Sequence, residues 1–340
     1  MKKSKIILSA VVVLVFVTFS VWIIRDSECS EVNTSSQPAV SEADIESFLF
    51  KIKERLVFVK GGSFLMGDFG VSHSVEGLPL DAEEGSKPLH EVVLSDFYID
   101  KYKVTNEDYR AYLEYHGKQL RTDVAGYRFF LFSMPDRLPA HLDWFEAEQY
   151  CAWLSDISGL PFSLATEAQW EYAARSRGQF LMVATNDGTY KVSISSEGRA
   201  VGVNISTSLD RKQFAAEMGW GTGGLTPLPV DRFPPNPLGV YAMSDSGFEW
   251  VKDWYDPDYY KYSPTNDPQG PEQPVHRDVL GRPTKVLRGQ SHADEYWTVG
   301  INVHRMPANP NAYFRTNDVA FLSSKTARCV VNSGEPLALD

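Results

Sequence analysis

The chain has no dense run of lysine and arginine, and its formal net charge is -11. A surface of that sign repels a phosphate backbone, so nucleic acid is not an expected partner. No self-similar period of roughly 20 to 50 residues recurs, which sets aside solenoids and propellers. No small-x-small site follows the first apolar run, so that run does not read as a removable signal peptide. Long helical periodicity is scarce as well. With 20 prolines, 24 glycines and 13% aromatic residues, the composition favours a loop-rich architecture over a helical bundle.

What is present starts at the amino terminus. Lys2, Lys3 and Lys5 precede an apolar run from Ile6 to Ile24, just long enough to span a bilayer, which takes ~20 residues. Basic flanks stay in the cytoplasm. The expectation is an uncleaved anchor crossing a bacterial inner membrane once, with the rest of the chain in the periplasm. Residues 1–25 form the stub and anchor, and 26–55 a linker that opens Ser-rich and acidic. Residues 56–332 form one large irregular domain with a buried core, and 333–340 a tail.

Within that domain, "RLVFVKGGSFLMGD" reads as two strands joined through Gly61 and Gly62, and "HEVVLSDFYIDKYKVT" as a further strand pair. Three helices are announced by caps. Thr105 with Asp108 opens one that Gly117 closes, and Thr166 with Gln169 opens another that ends by Gly178. Asp143 with Glu146 opens the third, which puts Trp144, Ala147, Cys151 and Leu154 on one face and stops at Gly159. After Arg175 helical periodicity fades. A few short helices in a large β-containing domain make the fold class α+β.

The stretches "FVKGGSFLMGD", "ATEAQWEYAAR", "GFEWVKDWYD", "KVLRGQS" and "TARCV" follow one another in a familiar order. From about Val57 to Val331 the chain resembles the formylglycine-generating enzyme, or sulfatase-modifying factor, family. That resemblance implies a variant C-type-lectin-like fold, compatible with α+β. In the prototype, two thiolates hold copper, and a cysteine of a client sulfatase is oxidised to formylglycine. They stand third and eighth after the serine of an "RGGS" strand. Counted from Ser291, those positions hold Asp294 and Val299. Copper(I) is a soft ion that selects thiolates, so copper oxidase chemistry is not expected. The His-x3-His-x-Glu arrangement with which other relatives bind iron is absent too.

The same resemblance implies a disulfide between Cys151 and Cys329, in keeping with an oxidising compartment, and leaves Cys29 over. It implies structural calcium at Glu249 with Asp245 and Ser246, and a second site at Asn204 and Ile205 whose partner carboxylate is missing, a hydrogen-bonded turn that folds without an ion being the alternative at each. His292, Asp294, Glu295 and His304 could hold iron or zinc, although their spacing matches no compact metal motif; solvated loop residues are the alternative. For Arg288, Arg305, Arg315 and Arg328 the resemblance implies arginines that knit strands and loops together, with anion recognition as the other choice. The acidic excursion from Gly70 to His90 is a binding loop or a flexible insertion. The aromatic stretch from Tyr127 to Pro139 is core or interface. The function expected is a membrane-anchored module that binds a periplasmic or envelope protein or ligand, a toxin-neutralising partner being one version. The alternative is a diverged metal-dependent oxidase or maturation enzyme acting on a peptide or metabolite through the His292 to His304 region.

Overall fold

Among the described residues, five helices begin with the same local device. The computed structural model describes residues 40–120, 131–290, 301–311 and 325–337, all within one unit, Pro38–Asp340. At Ser41/Asp44, Thr105/Asp108, Asp143/Glu146, Thr166/Gln169 and Thr207/Asp210 the cap side chain accepts from the N–H three residues on. That later residue's side chain accepts from the cap N–H in return. Each box satisfies two backbone donors that a helix start otherwise leaves open. The helices Asn106–Tyr115, Trp144–Ser158 and Glu167–Ala174 therefore start where the cap spacings put them. Left-handed Gly159 stops the second, and the third ends short of Gly178.

The other two correct the sequence expectation. Ser208–Glu217 is helical in the half where periodicity fades. Glu42–Glu54 is helical inside the stretch expected as linker, because it has something to bury and to bind. Ile52 is fully buried against the core, and Arg55, which ends the helix, pairs with Asp100 at 2.8 Å and Asp108 at 2.9 Å. Among the described residues no helix is long and apolar enough to cross a membrane. The Ile6 to Ile24 run and Cys29 lie outside them.

Among the described residues, two four-stranded sheets carry the fold. The first has the order β1 (Leu56–Val59), β4 (Phe97–Asp100), β12 (Cys329–Val331), β5 (Phe162–Leu164), all antiparallel. The second has the order β10 (Met306–Ala308), β9 (Lys285–Gln290), β8 (Gly247–Trp254), β11 (Lys325–Ala327), with β11 parallel to β8. Two hairpin-sized sheets flank them, β2 (Gly62–Met66) on β3 (His90–Leu94) and β6 (Val192–Ile194) on β7 (Ala200–Gly202). So β3 and β4, expected as a pair, part company: the first pairs with β2 and the second lies between β1 and β12. Arg328 alone separates β11 from β12, so the chain passes from one sheet to the other across a single residue. Mixed helix and sheet in one sheet-rich unit is what the α+β expectation requires.

Cys151 and Cys329 form the expected disulfide. It joins the Trp144–Ser158 helix to β12 inside a core cluster that also holds Trp153, Leu154 and Trp250. The closed loop spans 178 residues, for which chain-entropy reasoning gives up to about 5 kcal/mol. The double variant Cys151→Ala, Cys329→Ala should lose ~2–5 kcal/mol of unfolding free energy. Urea unfolding of the variant beside the oxidised parent measures it, and equal midpoints would show that packing alone holds the two elements.

Candidate functional site

Strand β9 is buried along its whole length and ends at Gly289 and Gln290. Gly289 has φ +78, and a Cβ there would stand 2.4 Å from the Met243 carbonyl oxygen, so only glycine fits this turn of the strand. Residues 291–300, which include His292, Asp294, Glu295 and Val299, lie outside the described set, as does Arg315. The chain is described again from Ile301, and Asn302, Val303 and Arg305 are buried there.

What holds this rim is a lattice of buried charge. Glu167 and Glu171, on one face of the Glu167–Ala174 helix, point at Arg288 and Arg305. Arg305 grips Glu167 with two hydrogen bonds, 2.6 and 2.8 Å, and donates to the carbonyls of Gly85 and Asp256. Arg288 reaches Glu167 at 2.9 Å, Glu171 at 2.7 Å and the Asn302 carbonyl. Arg175 completes the set by donating to Glu171 at 2.8 Å. Burial alone would raise the Glu167 carboxyl, but the Arg305 and Arg288 guanidiniums outweigh it and hold it below the ordinary glutamate range. Arg288 and Arg305 therefore knit helix, strand and loop together, the first of the two readings given for them.

The excursion from Gly70 to His90 is not a loose insertion. Asp68 accepts from the N–H groups of Gly70, Leu80 and Asp81, and its own N–H donates to the Ser86 carbonyl. Asp81, nearly buried, takes the Nδ1 of His304 at 3.1 Å. Burial would raise the Asp81 carboxyl, and the hydrogen bonds from His304 and from the Glu83 N–H lower it overall. The acidic segment is thus fastened to the 301–305 return at Asp81 and at Gly85. Its apolar tips Val71, Val75 and Leu78 stay exposed. Sequence reasoning placed His304 in a metal group; the structure gives its Nδ1 a carboxylate from the acidic segment. Among the described residues no group of three His, Cys, Asp or Glu side chains could hold a metal ion.

Glu249, where the resemblance implies calcium, already has its carboxylate engaged by protein groups. Its carboxylate is fully buried and takes Lys103 at 2.7 Å, Trp170 Nε1 at 3.0 Å and Arg328 twice at 3.1 Å. Two cations and an indole N–H already converge on it. A calcium ion there would meet positive charge instead of oxygen, so the arrangement does not fit the metal. Burial would raise the Glu249 carboxyl, and Arg328 and Lys103 instead bring it down to about 2. Burial, only partly offset by Glu249, brings Lys103 to about 8, still protonated at neutral pH.

Asn204, Ile205, Asp245 and Ser246 do come together, around a cavity of about 20 Å³. It is the size of a single water. Asn204 spends its amide nitrogen on Asn186, Asp187 and Thr189, and its amide oxygen accepts from the Lys191 N–H. The Asp245 carboxylate accepts from the N–H groups of Ser206 and Ser246, and Arg232 lines the same cavity. One carboxylate beside a guanidinium is a poor match for calcium, which takes about 6–8 oxygens. Of the Tyr127 to Pro139 stretch, residues 131–139 are described; Phe132 and Leu138 are core while Met134 is exposed.

Replacing Glu249 tests this cluster. Glu249→Gln leaves Lys103 and Arg328 buried without a counter-charge, and we expect a loss of ~3–5 kcal/mol in urea unfolding at neutral pH. The depressed carboxyl sets the sign with pH. Its stabilisation is present above the unfolded value near 4.3 and is lost as pH falls toward 2, roughly 3 kcal/mol in all. The parent's stability should therefore fall through this window, and the variant's should fall less.

Comparison with known proteins agrees with this architecture. The chain is 29% identical over 323 residues to a formylglycine-generating enzyme of Streptomyces coelicolor, covering 80% of this chain and 91% of that one. It is 28% identical over 277 residues to serine/threonine-protein kinase pkn1 of Chlamydia pneumoniae, covering 77% of this chain but only 36% of that protein's length. Among solved structures, PvdO from Pseudomonas aeruginosa superposes with a TM-score of 0.54 at 23% identity over 81% of this chain and 93% of its own, a likeness of fold. Residues 43–330 match the sulfatase-modifying factor enzyme 1-like domain, and the chain belongs to that family.

Proposed function

We propose that this chain is a membrane-anchored, periplasm-facing binding module of its family, without formylglycine-generating activity. The observation that carries this is the pair Asp294 and Val299 at the positions where the copper thiolates are expected. A carboxylate and an isopropyl group supply neither of the soft sulfur ligands that the chemistry needs. A variant C-type-lectin-like fold tolerates such a loss, since its loops can change while the core keeps its charge lattice, and one fold hosts many functions.

The rim supports binding as the retained task. The segment from Asp68 to Ser86 is bolted to buried side chains, yet it presents Val71, Val75 and Leu78 to solvent. Rigid loops with exposed apolar tips lose little entropy on association. The partner we propose is a periplasmic or envelope protein.

Metal analysis and activity of the purified full chain decide between this and a diverged metal oxidase. We expect no stoichiometric copper, iron or zinc and no oxidation of a cysteine in a sulfatase-derived peptide. Cross-linking from Val75 in envelope extracts should then capture a protein that the triple variant Val71→Asp, Val75→Asp, Leu78→Asp no longer captures. Stoichiometric metal that disappears in His304→Ala, together with peptide oxidation, would overturn the proposal in favour of the enzyme.

A further inference from the structure

The opposite end of β9 carries a second feature that the rim does not use. Lys285 opens the strand, about 17 Å from Gln290 at ~3.4 Å per residue. Its ammonium lies between two indoles, 3.9 Å from the ring centroids of both Trp144 and Trp254. The rings are 6.5 Å apart at an interplanar angle of 21°. Two anchors fix this sandwich: Lys285 Nζ donates to the Lys252 carbonyl at 2.7 Å, and Trp144 Nε1 donates to the Val251 carbonyl at 2.9 Å. Beside it opens a cleft of about 400 Å³, within the ~300–1,000 Å³ range of small-molecule sites.

The lining limits what can enter. The gap between the indoles is filled by the chain's own ammonium, so the cleft is not a cage for a cationic ligand. Its charged groups are Glu148, Glu272, Lys252 and Lys285, two of each sign, which favours neither an anion nor a cation. Phe162, Leu164 and Pro271 add apolar wall to the two half-buried indoles. Glu148, Glu272 and Gln269 stand exposed around it, with Lys252 donating to Gln269 at 3.0 Å. Gly270, at φ +76, lets this loop lie against Asp253, where a Cβ would come within 2.7 Å. The rim is thus held close to the indoles.

A ligand that suits such a cleft has a C–H face for the aromatic wall and a neutral fringe of groups that both donate and accept hydrogen bonds. We propose that this cleft binds a neutral saccharide, the sugar ring lying on the indole wall with its hydroxyls on Glu148, Gln269 and Glu272. It is independent of the binding role assigned to the rim, and either can fail without the other.

Tryptophan fluorescence of the full chain, kept in a detergent without sugar headgroups, is titrated with maltotriose, cellotriose, chitotriose and, as the charged control, trigalacturonate. At least one neutral trisaccharide should give a saturable change. Trp254→Ala should weaken it at least tenfold, about 1.4 kcal/mol. The double variant Glu148→Gln, Glu272→Gln changes only exposed side chains and should weaken it about three- to tenfold, read by calorimetry, with the thermal midpoint unchanged. The proposal is overturned if no neutral sugar saturates by about 20 mM, well beyond the millimolar end of the affinity scale. It is equally overturned if only trigalacturonate binds, or if both variants bind as the parent does.

Discussion

The fold depends on one buried carboxylate. Glu249 sits on β8, and the guanidinium of Arg328 that reaches it comes from the single residue between β11 and β12. The same guanidinium donates to the Asp100 carbonyl on β4 and to the Tyr241 carbonyl. One ion cluster therefore fixes both sheets and the crossing between them. Fully buried charges cost several kcal/mol each to desolvate unless every hydrogen-bonding position is filled. Here Lys103, Trp170 and Arg328 fill them. The arrangement is demanding, and that demand leaves few alternative ways to pack the two sheets.

The Glu167, Glu171, Arg288, Arg305 lattice repeats this logic beneath the rim. Arg305 spans from the Glu167–Ala174 helix to the Gly85 carbonyl, so the acidic segment inherits its position from the core. His304 adds a weaker, half-exposed clasp at Asp81. Function-bearing loops commonly owe their precision to a rigid scaffold beneath them. In this chain the scaffold is ionic rather than purely apolar.

Local features were legible and distant ones were not. The boxes at Thr105, Asp143 and Thr166 involve partners three residues apart, and each opens a helix as read. Thr207 and Asp210 have the same spacing, but the apolar stripe behind them is weak and does not mark a helix in the sequence. The Glu42–Glu54 helix hid in a linker-like composition; its order comes from Ile52 and from Arg55, whose carboxylates Asp100 and Asp108 lie far along the chain. Charge alone could not show that Glu249 faces Lys103 and Arg328, since those residues lie 146 and 79 positions away. The disulfide was available through resemblance, and the aromatic clasp around Lys285 through nothing in the sequence, since Trp144 and Trp254 come from separate elements.

The place of β12 carries a consequence for how the chain is made. It lies inside its sheet, between β4 and β5, yet it follows β4 by more than two hundred residues, and Arg328 meets Asp100 across a separation of 228. Until that late segment arrives, β4 and β5 each present an unpaired edge, the kind of surface on which strands of other molecules add. Contacts of such long range also slow folding. A chain emerging amino-terminus first would hold an unfinished sheet through most of its synthesis. The time spent in that state, more than the depth of the final energy well, then sets how much protection from aggregation it needs while it is being produced.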